Sequence, residues 1–587
     1  MFARRGFVAV LVLAVLPLAC PAQEKAEPKP LERAARLLVE RLDKGEFAKA
    51  TEKFDAVMLK AIPAEELKKT WEEVIAEAGA FKKQLGARAE TKDKYQIIYV
   101  TCAFAKATLD VRVVFDGEAK ITGLQIRPAA KPAPTGVEEI YEGKLKAGAT
   151  EVRLVFHLFK QKDGSYAGAM DSPDQGVKGL VLDEATVKED AVRLELSVAK
   201  IVFEGKRSKD GQEIAGTFNQ AGLSIPFTLK RVPKATEASR PQTPKKPYPY
   251  DEIEVAYENK LHGVKLAGSL TVPRSKGPFP AVLLITGSGA QDRDETILGH
   301  KPFLVLADHL TRRGIAVLRV DDRGVGGSTG SVPKSTTADF AEDVLAGVEF
   351  LKGRKEIDPA RIGLLGHSEG GAIAPLVASR SKDVAFIVLL AGTGVPGHEI
   401  LCTQSAAGLK LAGRARPEEL ALLKTLQDRL FAVVRAEKDL AEAEKKAGAA
   451  LKEITGKLSA EEKKESAAAL VVIESHKQLV LSPWGRYFMD YDPRPALRKV
   501  TCPVLALNGA KDVQVDAKVN LAAIEAALKE GGAKDVTIVE LPDLNHLFQT
   551  CKTGAGAEYG AIEETLAPVL LERVAEWITK RTGRARP

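Results

Sequence analysis

The sequence predicts an α/β protein whose main domain is a largely parallel sheet with a long helical insertion, preceded by two smaller domains. From Asp251 to the C-terminus, apolar strand patterns alternate with amphipathic helix patterns, as they do in parallel sheets. From Val137 to Val232 only strand patterns recur, about every ten residues, which indicates an all-β domain. Before Val137, helix patterns give way to a short run of strands, which indicates a small α+β domain.

Length and composition fit several globular domains. A chain of 587 residues is too long for one hydrophobic core and should divide into about three or four domains. Hydrophobic residues make up 45% and charged residues 28%, which is typical of folded proteins. The net charge of +7 is small and comes from interleaved Lys and Glu, so we expect solvated surfaces and no nucleic-acid partner. The oligomeric state cannot be predicted.

Residues 1–22 have the pattern of a signal peptide. Two arginines precede an apolar run, residues 7–19, which is too short to span a bilayer easily. Small residues around Cys20 then offer a cleavage site, which predicts export to the periplasm or beyond the cell. Lipid anchoring through Cys20 is the alternative, and Pro17 disfavours it. No later stretch is long enough to predict an integral membrane helix.

The cysteines do not predict a metal site. Four remain after cleavage, and no two are spaced as a CxxC pair. Buried free thiols are the preferred interpretation, and one disulfide of unknown pairing is the alternative. We expect no cofactor and no metal. The four residues are Cys102, Cys402, Cys502 and Cys551.

The first domain is predicted over residues 30–127. Helical periodicity runs from Leu31 to about Leu85, and strand patterns begin at Tyr95. A turn at Asp116-Gly117 precedes the last strand. Helices followed by such a meander resemble the cone-shaped fold of the nuclear-transport-factor-like superfamily. The domain has no cluster of acids or histidines, so we expect an accessory role.

The second domain, residues 137–232, is predicted to be a barrel or a sandwich between two Pro-rich linkers. The segments Ser165-Tyr-Ala-Gly168 and Asp171-Ser-Pro-Asp-Gln-Gly176 resemble a lipocalin-like β-domain. His157 falls within an apolar strand and is expected to be a packed core histidine.

The third domain, residues 250–587, carries eight predicted strands and five predicted helices. The segment 395–490 interrupts them between the sixth and seventh strands with helical, Lys/Glu/Ala/Leu-rich sequence. We interpret it as a lid over the sheet, the alternative being a solvated helical hairpin that does not contact substrate. The strands are 253–257, 266–272, 281–286, 316–320, 362–366, 384–390, 504–508 and 536–540, and the helices lie near 301–313, 338–353, 370–379, 517–529 and 558–582.

The third domain is organised around Gly366-His-Ser-Glu-Gly370. This G-x-S-x-G pattern follows an apolar strand and leads into a helix, as the strained turn that exposes a nucleophilic serine does. The glycines let strand and helix pass without a clashing Cβ atom. Ser368 is therefore the candidate nucleophile. A short Gly/Ser pattern also arises by chance, and the flanking strand and helix argue against that alternative.

A serine nucleophile needs a base and an acid that orients the base. With this turn, the expected chain order is serine, an acid after the seventh strand, and a histidine after the eighth. His546 directly follows the last strand, whereas His398 and His476 lie elsewhere. Asp512 follows the seventh strand; Asp516 is predicted to cap the next helix. The predicted triad is Ser368, Asp512 and His546.

An oxyanion hole requires two backbone N–H groups. One should belong to Glu369, which follows the nucleophile, and its side chain is expected to face solvent or the pocket rim. The other should come from the glycine-rich loop after the third strand, with Ser288 as the donor and Gly289 next.

Several segments resemble bacterial α/β-hydrolases of the serine aminopeptidase and carboxylesterase group. The resemblance implies an α/β-hydrolase fold, acyl transfer to Ser368 and hydrolysis through His546, with no cofactor. Thr286-Gly stands where many relatives have His-Gly, and Asp322 begins a stretch expected to brace the active-site loops. The segments are Ile285–Glu295, His300–Phe303, Leu318–Gly330, Gly366–Gly371 and Asn508–Val515.

The preferred function is that of an exported carboxylesterase with a small-molecule ester substrate. A serine aminopeptidase is the alternative. Such an enzyme would need acidic residues near Ser368 to bind the α-ammonium group of its substrate. Asp292, Asp294 and Glu295 lie in the loop after the third strand, but we expect Arg293 to pair with one of them. A non-catalytic binding protein is the alternative from another class.

Overall fold

The computed structural model describes residues 30–55, 58–59, 62–92, 95–129, 134–147, 150–220, 223–236, 238–413 and 416–583. The predicted signal peptide, including Cys20, lies outside these residues. The chain divides into two compact units, the first ending at Gly136 and the second beginning at Val137. Among the described helices, none combines the length and the apolar character that a membrane crossing requires.

The first unit packs helices on an antiparallel sheet. Leu38, Leu42 and Trp71 lie in its core against Val100 and Phe115 of the sheet. Its four strands pair in sequence order, β1-β2-β3-β4. The helices are α1 (Pro30–Asp43), α2 (Phe47–Ala50) and α3 (Ala64–Ala78), and the strands are β1 (Phe81–Lys92), β2 (Tyr95–Phe104), β3 (Thr108–Phe115) and β4 (Ile121–Pro128).

The prediction of helix up to about residue 85 was wrong. Helix α3 ends at Ala78 and is followed by Gly79, whose φ of 78° is costly for other residues, and β1 begins at Phe81. Strand β1 is an edge strand with two register irregularities and a Lys-rich sequence. Its polar side chains gave it no clear strand alternation.

The all-β domain is one nine-stranded antiparallel sheet in the order β8-β7-β6-β5-β13-β12-β11-β10-β9. In its core Phe156 stacks on Phe203, and Phe203 contacts Phe227 edge to face. The strands are β5 (Val137–Ala147), β6 (Thr150–Lys160), β7 (Tyr166–Ser172), β8 (Val177–Val181), β9 (Glu184–Lys188), β10 (Ala191–Leu196), β11 (Ile201–Arg207), β12 (Glu213–Gln220) and β13 (Leu223–Val232).

His157 is not the packed core histidine that the sequence predicted. It is half-buried on β6, and its ring nitrogens lie 2.7 Å from Glu138 Oε1 and 3.1 Å from Asp171 Oδ2. Burial alone would lower the pKa of His157, but its hydrogen bonds to the two carboxylates raise that pKa on balance. The flanking residues of β6 are apolar, so the strand gave no sign of these partners.

The third domain contains an eight-stranded sheet in the order β14-β15-β17-β16-β18-β19-β20-β21. The first three strands in this order pair antiparallel and all later pairs are parallel. All eight strands fall at predicted positions. They are β14 (Asp251–Asn259), β15 (Val264–Val272), β16 (Phe279–Ile285), β17 (Ala316–Val320), β18 (Ile357–His367), β19 (Phe386–Leu390), β20 (Val504–Gly509) and β21 (Val536–Leu541).

Two buried layers cover the two faces of this sheet. One contains Leu364 of β18 with Ile373 and Val348 from helices, and the other contains Leu365 of β18 with Phe303 and Trp577. Adjacent residues of β18 thus point to opposite layers, as strand geometry requires. The helices outside the insertion are α4 (Pro302–Thr311), α5 (Thr337–Lys352), α6 (Glu369–Ala378), α13 (Arg494–Leu497), α14 (Ala517–Glu530), α15 (Gly556–Tyr559) and α16 (Pro568–Thr582).

One helix of this domain was predicted too long. The segment 558–582 forms two helices, α15 and α16, separated by non-helical chain. Pro568 begins α16 because proline suits the first turn of a helix and disfavours helix before it.

The insertion is helical, as predicted, and has its own core. Leu426 and Leu430 pack with Ile473 and Phe488. Its helices are α7 (Gly397–Leu411), α8 (Pro417–Ala436), α9 (Leu440–Thr455), α10 (Ala460–Glu465), α11 (Ala467–Val480) and α12 (Pro483–Asp490).

We expect the loss of the buried cation Arg319 to destabilise this domain. Its side chain is 2% exposed and pairs with Asp294 and with Glu252, 3.0 Å away. Arg319→Met should lower the free energy of unfolding by ~2–3 kcal/mol, because it removes a buried cation from two half-buried carboxylates. The matched control is Arg274→Met, whose ion pair with Asp251 is exposed and should contribute at most ~1 kcal/mol. Equal losses in urea unfolding would contradict the assignment.

Candidate active site

Ser368 lies at a strained turn between β18 and α6. Its φ of 53° is unusual for a residue with a side chain, and its N–H donates to Leu390 O of the neighbouring strand at 2.8 Å. A Cβ atom at Gly366 would lie 1.9 Å from Gly370 O, and one at Gly370 would lie 2.2 Å from Ile285 O. Glycine is therefore required on both sides of Ser368 by the close approach of backbones.

The structure brings Ser368, His546 and Asp512 together in hydrogen-bonding order. His546 Nε2 lies 3.1 Å from Ser368 Oγ, and His546 Nδ1 lies 2.8 Å from Asp512 Oδ2. Asp512 Oδ1 accepts from the N–H groups of Gln514 and Val515, which fixes the orientation of the carboxylate. His546 and Asp512 are buried, whereas Ser368 is half-buried. This geometry can move a proton from Ser368 Oγ to the ring.

The loop that carries His546 is held by an asparagine that sequence analysis missed. Asn545 is fully buried, its Oδ1 accepts from Leu547 N and Gln549 N, and its Nδ2 donates to Gln549 Oε1. Asn side chains commonly form such turns, so Asn-His after the last strand was an available signal. Asp543, three residues before His546, is exposed and pairs with Lys511.

The loop after β16 passes beside the nucleophile. A Cβ atom at Gly287 would lie 3.3 Å from Ser368 Cβ. Ser288 and Gly289 follow and line the same cavity as Ser368 and Glu369. Within the described parts of the chain, the backbone N–H groups of Ser288, Gly289 and Glu369 donate to no protein acceptor. These are the donors that the sequence predicted.

A buried Glu295–His367 pair joins the two loops around Ser368, and sequence analysis missed its role. Glu295 Oε1 accepts from Gly287 N at 2.7 Å and lies 2.9 Å from His367 Nδ1. His367 Nε2 donates to His546 O at 3.0 Å. Burial alone would lower the pKa of His367, but the charge of Glu295 raises it on balance, which suits a ring with two acceptors.

Asp321 and Asp322 contact the loop after β16, as the predicted bracing role requires. Asp322 accepts from Thr286 Oγ1 and Gln291 N at 2.8 and 2.9 Å. Burial raises the pKa of the Asp322 carboxyl to about 8. Asp321 pairs with Arg293 at 2.8 Å.

The expected pairing of Arg293 with an acid of its own loop was wrong. Arg293 pairs with Asp321 and with Glu254 of β14 instead. Asp294 forms ion pairs with Arg319 and with Lys301. The sequence could not reveal these partners because they come from distant strands.

Ser368 opens into a cavity of about 430 Å³ that the insertion helps to enclose. Trp484 and Phe488 of α12 stack with their ring centroids 4.9 Å apart, and both line the cavity. Leu479 of α11 and Ile400 of α7 line it as well. The insertion therefore forms part of the wall around Ser368, unlike a solvated hairpin.

The Glu369 side chain is buried, whereas the sequence predicted that it would face solvent or the pocket rim. It is 3% exposed, and its Oε1 accepts from Thr337 Oγ1 at 2.6 Å and from Trp484 Nε1 at 2.8 Å. Burial raises the pKa of the Glu369 carboxyl. The prediction failed because Trp484 approaches from the insertion, 115 residues along the chain.

The remaining candidate groups lie away from Ser368. His398 Nδ1 contacts Met489 O, and buried His476 contacts Gln427. Asp516 caps α14, as predicted, by accepting from Val519 N. In the part of the chain that the structure describes, no cluster of three His, Cys, Asp or Glu could hold a metal ion. Cys102, Cys402, Cys502 and Cys551 are free thiols, the middle two half-buried.

Comparisons with known proteins agree with this architecture. The pattern of the X-Pro dipeptidyl-peptidase (S15) family matches residues 262–538, and a family of unknown function, DUF3887, matches residues 35–124. The esterase EstD of Thermotoga maritima is 28% identical over 374 residues, which are 62% of this chain and 78% of EstD. An uncharacterized protein of Mycobacterium tuberculosis is 34% identical over 126 residues, 22% of this chain and 41% of that protein.

Among solved structures, an esterase of Pyrococcus furiosus aligns with 60% of this chain and 100% of its own, at 15% identity and a TM-score of 0.35. The sheet order and the two sequence matches define the class: the chain is an α/β-hydrolase. The chain is a serine hydrolase.

The close approach at Gly370 gives a direct test of the turn. Gly370→Ala should lower the free energy of unfolding by at least ~3 kcal/mol or prevent folding, because the added Cβ meets the backbone of β16. Gly448→Ala on α9 is the control, since a Cβ there has open space and should stabilise the helix by up to ~1 kcal/mol. Thermal and urea unfolding of both variants provide the measurement. A well-folded Gly370→Ala protein with unchanged stability would refute the packing.

Proposed function

We propose that the protein is a carboxylesterase in which Ser368, His546 and Asp512 form the catalytic triad. His546 Nε2 takes the proton of Ser368 Oγ while that oxygen attacks the ester carbonyl carbon. The same proton then goes to the departing alcohol, which leaves an acyl group on Ser368. Water, deprotonated by His546, hydrolyses this acyl-enzyme and regenerates the serine. Asp512 orients the ring and stabilises its charged form.

The developing oxyanion is proposed to bind the backbone N–H groups of Glu369 and Ser288, with Gly289 as the next candidate. Glu369 N opens helix α6, where the amides have no partner within the helix. The position of Gly287 beside Ser368 supports the contribution of the loop after β16. Such donors act before any charge forms and so need no rearrangement.

The single observation that carries the ester assignment is that Ser368, hydrogen-bonded to His546, opens into a largely apolar cavity. Ile400, Leu479 and Phe488 line it, and each suits an acyl chain better than a charged group. Short- to medium-chain acyl esters of small molecules are the proposed substrates. The match to EstD, an esterase, supports this class.

The other parts of the chain receive proposed roles from the same reasoning. We propose that the insertion, residues 395–490, acts as a lid, since its side chains line the cavity. Residues 30–127 are proposed to be a nuclear-transport-factor-like accessory domain and residues 137–232 a lipocalin-like one. We also propose that residues 1–22 direct export and are then removed.

A second candidate function is an exopeptidase, which the match to the X-Pro dipeptidyl-peptidase family favours. Such an enzyme must bind a free α-ammonium group, which calls for carboxylates facing a dry cavity. Asp294 and Glu295 are committed to cations or to His367, which leaves Glu369 as the carboxyl that lines the cavity.

Removal of the nucleophile tests the proposed mechanism. Ser368→Ala should lower kcat/KM for a para-nitrophenyl ester by at least about 10⁴-fold, with a nearly unchanged Tm, because the hydroxyl contributes little to packing. Labelling by an active-site fluorophosphonate should disappear in the same variant. Ser379→Ala, at the far end of α6, is the control and should keep both activities. Label on another serine would refute the assignment.

The preference for esters over peptides has its own test. We expect kcat/KM for a butyrate ester to exceed that for alanyl and prolyl amides by several orders of magnitude, because the cavity is largely apolar. Aryl esters and anilides with matched chromophores provide the measurement. Amide turnover within about tenfold of the ester, lost in Ser368→Ala, would favour the exopeptidase.

A further inference from the structure

One oxygen of the Glu369 carboxyl accepts hydrogen bonds from the protein, and the other does not. Both donors that bind it, Thr337 Oγ1 and Trp484 Nε1, go to Oε1. Oε2 has no hydrogen-bond partner among the described residues, yet it is not among their fully buried unpaired polar atoms. Glu369 lines the cavity that contains Ser368, and it also lines a smaller cavity together with Asp322 and Phe340.

No cation compensates Glu369 in the described structure. Arg293 is engaged by Asp321 and Glu254, and Arg323 by Asp343. The nearby histidines are engaged as well, His367 by Glu295 and His546 by Asp512. Asp322, whose pKa is raised by burial first and by the charge of Glu369 in part, is also an acid.

These surroundings favour the neutral carboxylic acid. A buried carboxylate without a cation is costly, and such a group takes up a proton instead. The N-terminus of α6 favours negative charge at Glu369, but this effect is weak beside the cost of burial. A neutral acid has one acceptor oxygen and one O–H donor. With both protein donors on Oε1, the O–H belongs to Oε2.

We propose that Glu369 is a specificity-determining residue whose Oε2–H donates a hydrogen bond into the cavity and selects acyl groups that carry an ether, keto or hydroxyl oxygen. This inference rests on the proposed esterase function of Ser368. Two other polar side chains of the wall are already bonded within the protein, whereas the Ser288 and Thr393 hydroxyls also line the cavity. Ser482 Oγ donates to Leu479 O, and Gln514 bonds to Gln404 and Tyr559. An all-carbon acyl chain would leave the Oε2–H donor unpaired.

The test compares two isosteric esters, para-nitrophenyl hexanoate and para-nitrophenyl 4-methoxybutanoate. The ether oxygen is too far from the carbonyl to change its intrinsic reactivity much, and hydroxide-catalysed rates correct for the remainder. In the wild type we expect kcat/KM for the ether ester to exceed that for hexanoate by about threefold to tenfold. Because the ratio is taken within one protein, partial loss of folded enzyme cancels.

Two variants separate the donor from other effects. Glu369→Gln keeps an Oε1 acceptor for Thr337 and Trp484 and offers an N–H donor in place of the O–H, so the ratio should stay within about twofold of wild type. Glu369→Met removes the donor, and the ratio should fall to about one. Leu440→Met, at an exposed position of the insertion, is the control and should leave the ratio as in wild type.

A wild-type ratio near one, or an unchanged ratio in Glu369→Met, would overturn the inference. So would a wild type that prefers the para-nitrophenyl ester of an aminoacyl group and loses that preference in Glu369→Gln, because that result requires a carboxylate that binds ammonium. A separate measurement, the activity of Ser368→Ala, shows whether the esterase proposal itself fails. That failure would appear as hydrolysis of both esters by Ser368→Ala, whatever the ratio in the Glu369 variants.

Discussion

The close approach of three backbones at Ser368 is the constraint on which the rest of the site depends. Helix α6 leaves no room for a Cβ at Gly366 of β18, and β16 leaves none at Gly370. A Cβ at Gly371 would lie 2.5 Å from the Cα atom of Gly392, just after β19. This contact holds Ser368 at a positive φ and projects its hydroxyl above the sheet. Local strain of this kind persists only where surrounding structure fixes it, and the buried sheet provides that support.

A layer of buried polar groups holds the neighbouring loops in register with that turn. His367, inside the nucleophile motif, connects Glu295 and Gly287 of one loop to the backbone of His546 in another. Asn545 then holds the turn around His546, because its Oδ1 accepts from Leu547 N and Gln549 N. The groups expected to bind charge and to transfer a proton are thereby positioned by hydrogen bonds that do not depend on substrate.

The sequence predicted the eight strands of the third domain and the residues that meet at Ser368, because periodicity and the order of motifs are local signals. It did not predict contacts between distant segments. Glu369 is buried by Trp484 of the insertion, and Arg293 pairs with Glu254 of β14. Both partners are remote in sequence. Strand β1 was missed for another reason, since its polar edge has no clear alternation.

The central claim is that substrate passes through an acyl group on Ser368. Rapid mixing of a para-nitrophenyl ester with enzyme, followed by acid quench and peptide mass spectrometry, tests it most directly. The account predicts a burst of nitrophenolate close to one equivalent per active chain, where deacylation is the slower step, and an acyl mass on the peptide that contains Ser368. An acyl group on a different residue, under conditions in which the ester is being turned over, would contradict it.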